Sequence, residues 1–222
     1  MAEPKKKKEG KNKRPIKFNV QLNDEQKEAK SVIISNEITI VRGNAGSGKT
    51  LLACQVGLDG FFGGNYNKLI IARPAVTAGE NLGFLPGSKE EKLLEFIQPV
   101  LDNFNVLYGD TQSKRDKIIK HIKEDEIQVM SVGHLRGRTF SNAFVIIDEA
   151  QNLTESQMEM VVTRLGIGSK MVVTGDLRQQ DTSGRSGLGK LLILKDKVKG
   201  LESVELCGNH RSGIVMDLIK HW

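Results

Sequence analysis

The chain has 222 residues, with 33 lysines and arginines against 27 acidic residues and a formal net charge of +6. A chain of this length can bury one sizeable core, and it has no apolar run near the roughly 20 residues of a membrane-spanning helix. Its two cysteines, Cys54 and Cys207, lie far apart without metal-ligand spacing. This favours reduced thiols and a cytoplasmic location over a disulfide-bonded secreted fold.

The charge surplus is concentrated at the start of the sequence. Residues 1–17 hold eight basic and two acidic side chains, whereas residues 18–222 hold 25 of each sign. Because a Lys-rich segment with few apolar side chains cannot bury enough surface to offset its ordering entropy, we predict a disordered tail over 1–17. Residues 18–222 are then predicted to form one domain. The tail could hold polynucleotide loosely, or it could have no binding task.

From residue 22 onward, helical patterns alternate with β-rich runs. Asn23 is a plausible N-cap for a first helix within 22–33. Strands are predicted at 37–43, 68–74, 127–132, 143–149, 170–176 and 203–208, and further helices at 49–62, 89–106, 113–124, 154–165, 187–195 and 211–221. Several strands are continuous apolar runs, which are typical of strands covered on both faces. The alternation predicts an α/β fold with a mostly parallel sheet flanked by helices, and ligands at the carboxyl ends of the strands.

Residues 43–50 read GNAGSGKT and match the pattern G-x-x-x-x-G-K-[ST] between a predicted strand and a predicted helix. Glycines let such a loop wrap a phosphate group closely, Lys49 places a positive charge on the terminal phosphates, and Thr50 offers a hydroxyl to Mg²⁺. ATP and magnesium are therefore the predicted ligands. The predicted phosphate-binding residues are Gly43, Asn44, Ala45, Gly46, Ser47, Gly48, Lys49, Thr50 and Leu51.

The run AFVIIDEAQN places two acids at the end of an apolar strand. We predict that Asp148 joins Thr50 in the magnesium shell, and that Glu149 polarises a water molecule for attack on the γ-phosphate. The alternative is an ordinary acidic strand end that leads into a turn.

Four strings, GNAGSGKTLLA, ARPAVTAGENLGFLPGSKEEK, RGRTFSNAFVIIDEAQN and SKMVVTGDLRQQD, resemble the PhoH family of ATPases. The resemblance extends over residues 20–222. It implies a single RecA-like P-loop NTPase domain related to superfamily 1 helicases, and an ATPase that is suspected to act on RNA or another nucleic acid.

The resemblance implies further site residues. Gln26, in LNDEQ, would read the adenine base, although it could equally be a solvated residue in the first turn of a helix. Asp176 and Gln179, in TGDLRQ, would link the state of the γ-phosphate to movement, and Gln151 would be a second γ-phosphate sensor.

In LCGNHRS, Arg211 would occupy the place of an arginine finger. The alternative is an arginine at a helix start that pairs with a carboxylate. In the helicases the finger comes from a second RecA-like domain, and this chain has room for one such domain only. The resemblance therefore implies a ring-like homo-oligomer, a hexamer, in which Arg211 acts on the ATP of a neighbouring subunit.

Three other arginines are candidate contacts for nucleic acid. Arg73 opens the Gly-rich segment 73–92, which could instead be a structural lid, and Arg136 and Arg138 flank a glycine in HLRGRTF. Two arginines beside a glycine suit a phosphate backbone, although arginines on a solvated loop are the alternative.

These features together predict a magnesium-dependent ATPase that couples hydrolysis to binding of, translocation on or remodelling of single-stranded nucleic acid, with RNA favoured over DNA. A P-loop kinase, a slow nucleotide-gated binding protein and an ATPase linked to ribonuclease activity are the alternatives. The adjacent Asp148 and Glu149 favour hydrolysis over phosphoryl transfer to a hydroxyl group.

Overall fold

The structure is a computed structural model that describes residues 16–74, 89–109, 111–181, 184–208, 210 and 213–221. The predicted disorder of residues 1–17 falls almost entirely on residues outside this set, and so does most of segment 73–92.

Six strands form one sheet in the described chain: β1 Ile38–Gly43, β2 Lys68–Arg73, β3 Ile127–Ser131, β4 Ala143–Ile147, β5 Lys170–Gly175 and β6 Leu201–Leu206. The helices are α1 Asp24–Ser35, α2 Lys49–Phe62, α3 Lys89–Tyr108, α4 Gln112–Lys123, α5 Glu155–Val162, α6 Gly187–Leu194 and α7 Gly213–His221. All strand pairings are parallel. The predicted fold class is confirmed: an α/β domain with a parallel sheet flanked by helices.

The strand order is β3-β2-β4-β5-β1-β6. Because all the strands run the same way, their carboxyl ends lie at one edge of the sheet, called here the carboxyl edge. The loop after β1, the acids after β4 and the turn after β5 therefore meet at this edge. The order also inserts β5 between β1 and β4.

The continuous apolar strands are buried on both faces, as predicted. In β4, Phe144 and Ile146 pack into one core with α1, α2, α3 and α4, whereas Val145 and Ile147 pack into a second core with α5 and α6. All five residues of β4 are buried. This is the alternation of side-chain direction that a strand imposes.

The last strand begins two residues earlier than predicted and ends two residues earlier. Gly200, at a φ of +86°, accepts hydrogen bonds at its carbonyl from Glu37 and Ile38, which fixes where β6 starts beside β1. The strand ends because the N–H groups of Cys207 and Gly208 donate to the carboxylate of Glu25.

Helix α5 is shorter than predicted, since it ends at Val162 and not at residue 165. Here tertiary pairing overrides helical propensity. The carbonyl of Arg164 accepts from the N–H of Phe140, and the N–H of Gly166 donates to the carbonyl of Phe140.

The predicted N-cap of α1 is confirmed and forms a reciprocal capping box. Asn23 accepts a hydrogen bond from the backbone N–H of Gln26 at 2.8 Å, and the Gln26 side chain accepts from the backbone N–H of Asn23 at 3.2 Å. Such a cap stabilises a helix by about 1 kcal/mol. Gln26 is only 5% exposed, so the interpretation of this residue as a solvated one is wrong.

Within the described residues, no helix has both the length and the apolar character needed to cross a membrane.

The two cysteines should differ sharply in reactivity. Burial raises the pKa of the Cys54 thiol, and the Asp148 carboxylate adds to that increase, whereas Cys207 is exposed. We therefore expect a thiol reagent to label the exposed Cys207 quickly. The Cys54 thiol is buried and stays protonated, so it should react only when denaturant unfolds the chain.

Counting labelled thiols with and without denaturant, in the wild type and in Cys207→Ser, checks this expectation. Rapid labelling of the folded Cys207→Ser variant would contradict the buried position of Cys54.

Candidate nucleotide site

The loop between β1 and α2 is shaped by three glycines. Gly46 and Gly48 have φ angles of +83° and +87°, a region that favours glycine. A Cβ atom on Gly43 would lie 2.3 Å from the carbonyl oxygen of Leu206, so a side chain does not fit there. Gly48 is the N-cap of α2 and provides no side-chain cap. The first N–H groups of α2 are therefore available to an anion in the loop.

Lys49 and Ser47 supply donors within this loop. The Lys49 ammonium donates to the carbonyl oxygens of Gly43 at 2.6 Å and Asn44 at 3.0 Å, which holds it against the loop. Ser47 is 1% exposed, and its hydroxyl has no hydrogen-bond partner among the described residues. The loop thus combines the Lys49 ammonium, fixed by two carbonyl groups, with the unpaired Ser47 hydroxyl. Both groups could donate hydrogen bonds to a phosphate.

Asp148 lies at the centre of the site. Its Oδ1 atom accepts hydrogen bonds from the hydroxyls of Thr50 at 2.7 Å and Thr174 at 2.5 Å, and its side chain is 3% exposed. The two predicted metal ligands, Thr50 and Asp148, are therefore in direct contact. A hydroxyl beside a carboxylate is an all-oxygen donor set, which fits Mg²⁺.

Arg73 joins the same site from the end of β2. Its Nε atom lies 3.3 Å from Oδ2 of Asp148, and its side chain is 22% exposed. Sequence reasoning assigned Arg73 to nucleic acid, but in the structure its described partner is this carboxylate. The neighbouring strand β2 also accepts the Asp148 N–H at the carbonyl of Ala72, at 2.9 Å.

Beside Asp148, a chain of hydrogen bonds joins four predicted residues. The Gln151 amide donates to Glu149 at 2.6 Å and accepts at 3.2 Å from the backbone N–H of Asp176, whose carboxylate accepts from Gln179 at 2.7 Å. Glu149 has a φ of +55°, which costs a residue with a side chain about 1–3 kcal/mol and is frequent at functional sites. The sheet edge therefore orients Glu149 through Gln151.

Sequence reasoning missed two residues of the site in and after β5. Thr174 bonds Asp148, and the Arg178 guanidinium donates to the Asn44 side chain at 3.3 Å, which links the turn after β5 to the phosphate loop. Thr174 lies near the end of β5, two residues before the predicted site residue Asp176. That spacing was the available signal, but it identifies Thr174 only once β5 is known to lie next to β4.

Gln26 and His210 lie over the start of α2. Their side-chain nitrogens are 3.4 Å apart. The backbone N–H of His210 donates to the carbonyl of Gly46 at 3.0 Å. A Cβ atom on Gly48 would lie 3.0 Å from the Gln26 amide and 3.6 Å from the His210 ring. Sequence reasoning named Gln26 but gave His210 no role. Arg211, the next residue, is outside the described residues.

The remaining predicted residues are not among the described contacts of Asp148. Leu51 packs partly buried against the core on the α2 side, and Arg136 is exposed. Arg138 donates to Gln128 at 2.7 Å, and its guanidinium lies 4.9 Å from the centre of the Phe140 ring. In the described structure Arg138 therefore ties its own loop to β3.

A phosphate loop at the end of an interior parallel strand, with a hydroxyl and a carboxylate in contact beside it, defines a P-loop NTPase. The chain belongs to the PhoH family, because the family model described as "PhoH-like protein" matches residues 20–221.

Curated relatives agree. The chain is 40% identical over 190 residues to a PhoH-like protein of Synechocystis, covering 86% of this chain and 56% of the relative. It is 36% identical over 192 residues to a PhoH-like protein of Bacillus subtilis, covering 86% and 58%. Protein PhoH of Escherichia coli is 33% identical over 191 residues, with 86% and 52% covered. The chain thus spans a little over half the length of these relatives.

Among solved structures, the chain is similar to the Pif1 helicase from Candida albicans. The TM-score is 0.47 and the sequence identity 15%, over 91% of this chain and 44% of that one.

Removing Arg73 should destabilise the protein measured without nucleotide or magnesium. In Arg73→Ala the buried Asp148 loses its cationic partner, and we expect the free energy of unfolding to fall by about 1–3 kcal/mol. Arg42→Ala is the matched control, since Arg42 pairs with Glu205 at 3.0 Å and both side chains are about half exposed. That variant should lose at most about 1 kcal/mol.

Urea unfolding of the two variants and the wild type measures the difference. An equal decrease in the free energy of unfolding for the two variants would contradict a larger stabilising contribution from the contact between Arg73 and Asp148.

Proposed function

We propose that this chain is a magnesium-dependent ATPase that couples hydrolysis to binding of, translocation on or remodelling of single-stranded nucleic acid, RNA in preference to DNA. The observation that carries the enzymatic part is the contact of Thr50 with Asp148 beside the phosphate loop, with Glu149 held next to them. The nucleic-acid part and the preference for RNA rest on the resemblance to the PhoH family. The reduced thiols favour action in the cytoplasm.

The phosphate loop and the start of α2 would bind the triphosphate. The free N–H groups at the start of α2 would donate to phosphate oxygens, and the Lys49 ammonium would exchange its carbonyl partners for the terminal phosphates. Thr50 and Asp148 would hold the magnesium ion, which supplies charge neutralisation at the phosphates.

Glu149 is the proposed general base. Its carboxylate would accept a proton from the water molecule that attacks the γ-phosphate, with Gln151 fixing the carboxylate's position through their 2.6 Å hydrogen bond. The Asp148 carboxylate already contacts Thr50, Thr174 and Arg73. Of the two neighbouring acids, Asp148 would therefore bind the metal ion and Glu149 would accept the proton.

Coupling to movement would start from the same hydrogen-bond chain. Gln151 and Asp176 lie between Glu149 and the turn that carries Gln179 and Arg178, and Arg178 reaches back to Asn44 of the loop. A change at the γ-phosphate would therefore reach this turn through contacts no longer than 3.3 Å. Gln26 and His210, whose side chains meet beside Gly48, would contact the adenine base.

We also propose that the active form is a ring, a hexamer, in which Arg211 completes the ATP site of a neighbouring subunit. The support is the resemblance of LCGNHRS to a helicase motif whose arginine comes from a second domain. An arginine finger raises turnover by about 10³ to 10⁵ where it has been dissected.

Replacing the proposed base should abolish hydrolysis without abolishing binding. For Glu149→Gln we expect phosphate release to fall by about 10² to 10⁴, because the amide cannot accept the proton, while a fluorescent ATP analogue still binds. Glu159→Gln, an exposed acid on α5, is the matched control and should hydrolyse ATP normally.

Phosphate release is measured with and without single-stranded RNA and DNA, and RNA should stimulate the wild type most. Normal hydrolysis by Glu149→Gln would overturn the base assignment. A lack of stimulation by any polymer would favour a kinase or a slow nucleotide-gated binder.

The action of Arg211 across subunits can be tested by mixing two inactive proteins. Arg211→Ala has an intact phosphate loop but no finger, and Lys49→Ala has a finger but no working loop. If the finger acts across a subunit boundary, mixed rings contain boundaries with both parts, and hydrolysis should partly return after subunit exchange. No recovery in rings shown to be mixed would contradict action in trans.

A further inference from the structure

Helix α4 carries an excess of positive charge that the nucleotide site does not use. Its twelve residues contain Lys114, Arg115, Lys117, Lys120 and Lys123 against one acid, Asp116, although the basic and acidic residues of 18–222 are equal in number. At its carboxyl end Lys120 faces Glu124 at 3.8 Å. Lys114 and Lys117 lie in the first half of the helix, and their described partners are aromatic rings and a tyrosine hydroxyl.

Two aromatic rings hold lysines in this first half. The Lys117 ammonium lies 4.5 Å from the centre of the Phe62 ring and donates to the hydroxyl of Tyr108 at 3.2 Å. The Lys114 ammonium lies 5.2 Å from the Tyr108 ring, and the two rings stack at 5.8 Å. Cation–π contacts limit the rotamers of these long side chains, which lowers the entropy cost of binding a phosphate group with them.

The Lys-rich segment enters the domain at the same place. The N–H of Asn19 donates to the carbonyl of Leu107 at 2.8 Å. A Cβ atom on Gly109 would lie within 2.9 Å of both the Lys114 ammonium and the Asn19 amide. Residues 1–17, which hold the whole charge surplus, therefore join the fold beside Lys114.

This corner is distant from the phosphate loop. Phe62 is the last residue of α2 and Lys49 the first, so the helix separates them by about 20 Å. The His121 ring packs edge-on against Phe61 and Phe62, which fixes α4 at that far end. A ligand bound here does not compete with ATP for space.

We infer that the corner formed by Phe62, Tyr108, Lys114 and Lys117 binds single-stranded nucleic acid, with the two ammonium groups on backbone phosphates and the aromatic rings beside the bases. The inference rests on the proposed function and adds where the polymer binds. Lysines beside aromatic rings suit a single strand, because the lysines can contact its phosphates while the rings stack on its unpaired bases.

An anionic membrane is the less suitable partner. Surface-bound helices insert an apolar face between the lipids. In α4, Ile118 is buried and Ile122 packs against the core, which leaves Ile119, 41% exposed, as the exposed isoleucine of the helix.

The test uses the full chain and fluorescence anisotropy with a labelled single-stranded RNA of about 20 nucleotides. The Lys114→Glu/Lys117→Glu variant is compared with Lys197→Glu/Lys199→Glu, which changes net charge equally at two exposed lysines before β6. At about 50 mM salt we expect the first variant to bind about tenfold or more weakly, and its slope of log affinity against log salt to shrink by about 1.4, two lost phosphate contacts. The control should stay near the wild type, and Lys114→Arg/Lys117→Arg should retain binding.

Thermal unfolding of each variant confirms that it is folded, and the arginine variant keeps the test meaningful if charge reversal disturbs α4. Wild-type protein that binds neither RNA nor DNA would contradict the proposed function. Wild-type binding that both glutamate variants weaken equally would leave that function in place and overturn this inference alone. Tighter, Lys114- and Lys117-dependent binding to phosphatidylserine vesicles than to RNA would also overturn it, in favour of a membrane.

Discussion

The structure depends most on one buried carboxylate. Asp148 is almost inaccessible to water, and a charge in that position is tolerated only when hydrogen bonds and a cation compensate it. Its partners are Thr50 from the start of α2, Thr174 from β5 and Arg73 from β2. These groups can meet only if β2 and β5 flank β4 and the phosphate loop opens at the same edge. The site therefore depends on the strand order β2-β4-β5-β1, which also defines the fold.

The same arrangement gives two adjacent acids different surroundings. Consecutive residues of a strand point to opposite faces, but β4 ends at Ile147, and Glu149 turns through the left-handed region. That turn keeps Glu149 out of the buried cluster and within reach of Gln151. Gln151 is itself 2% exposed and bonds Asp176, so the position of the proposed base is tied to the end of β5. The strain at Glu149 is offset by a network in which each member has a partner.

Local sequence patterns predicted much of this, and long-range pairing accounts for the rest. The phosphate loop, Asp148 and Glu149 follow from a strand, a glycine pattern and a helix in succession, and Asn23 as the N-cap of α1 follows from its place before the first helical residues. The contacts of Thr174 and Arg73 with Asp148 did not follow, because no local pattern shows that β5 and β2 both pair with β4. Arg138 was grouped with Arg136 from their shared loop, yet its guanidinium stacks on Phe140, two residues further on.

The distribution of charge adds a further constraint on how the molecule can act. With equal numbers of acids and bases in residues 18–222, the domain has no net charge to attract a polyanion, so any such attraction has to come from local clusters. At the carboxyl edge, Arg73, Arg178 and Lys49 are bonded to Asp148, Asn44 and the loop carbonyls. The start of α4 differs, because there the described partners of Lys117 are aromatic rings and a tyrosine hydroxyl, which leave its charge uncompensated. A polymer attracted there and a triphosphate bound at the carboxyl edge would occupy opposite ends of α2, and this single helix, continuous from Lys49 to Phe62, would connect them directly.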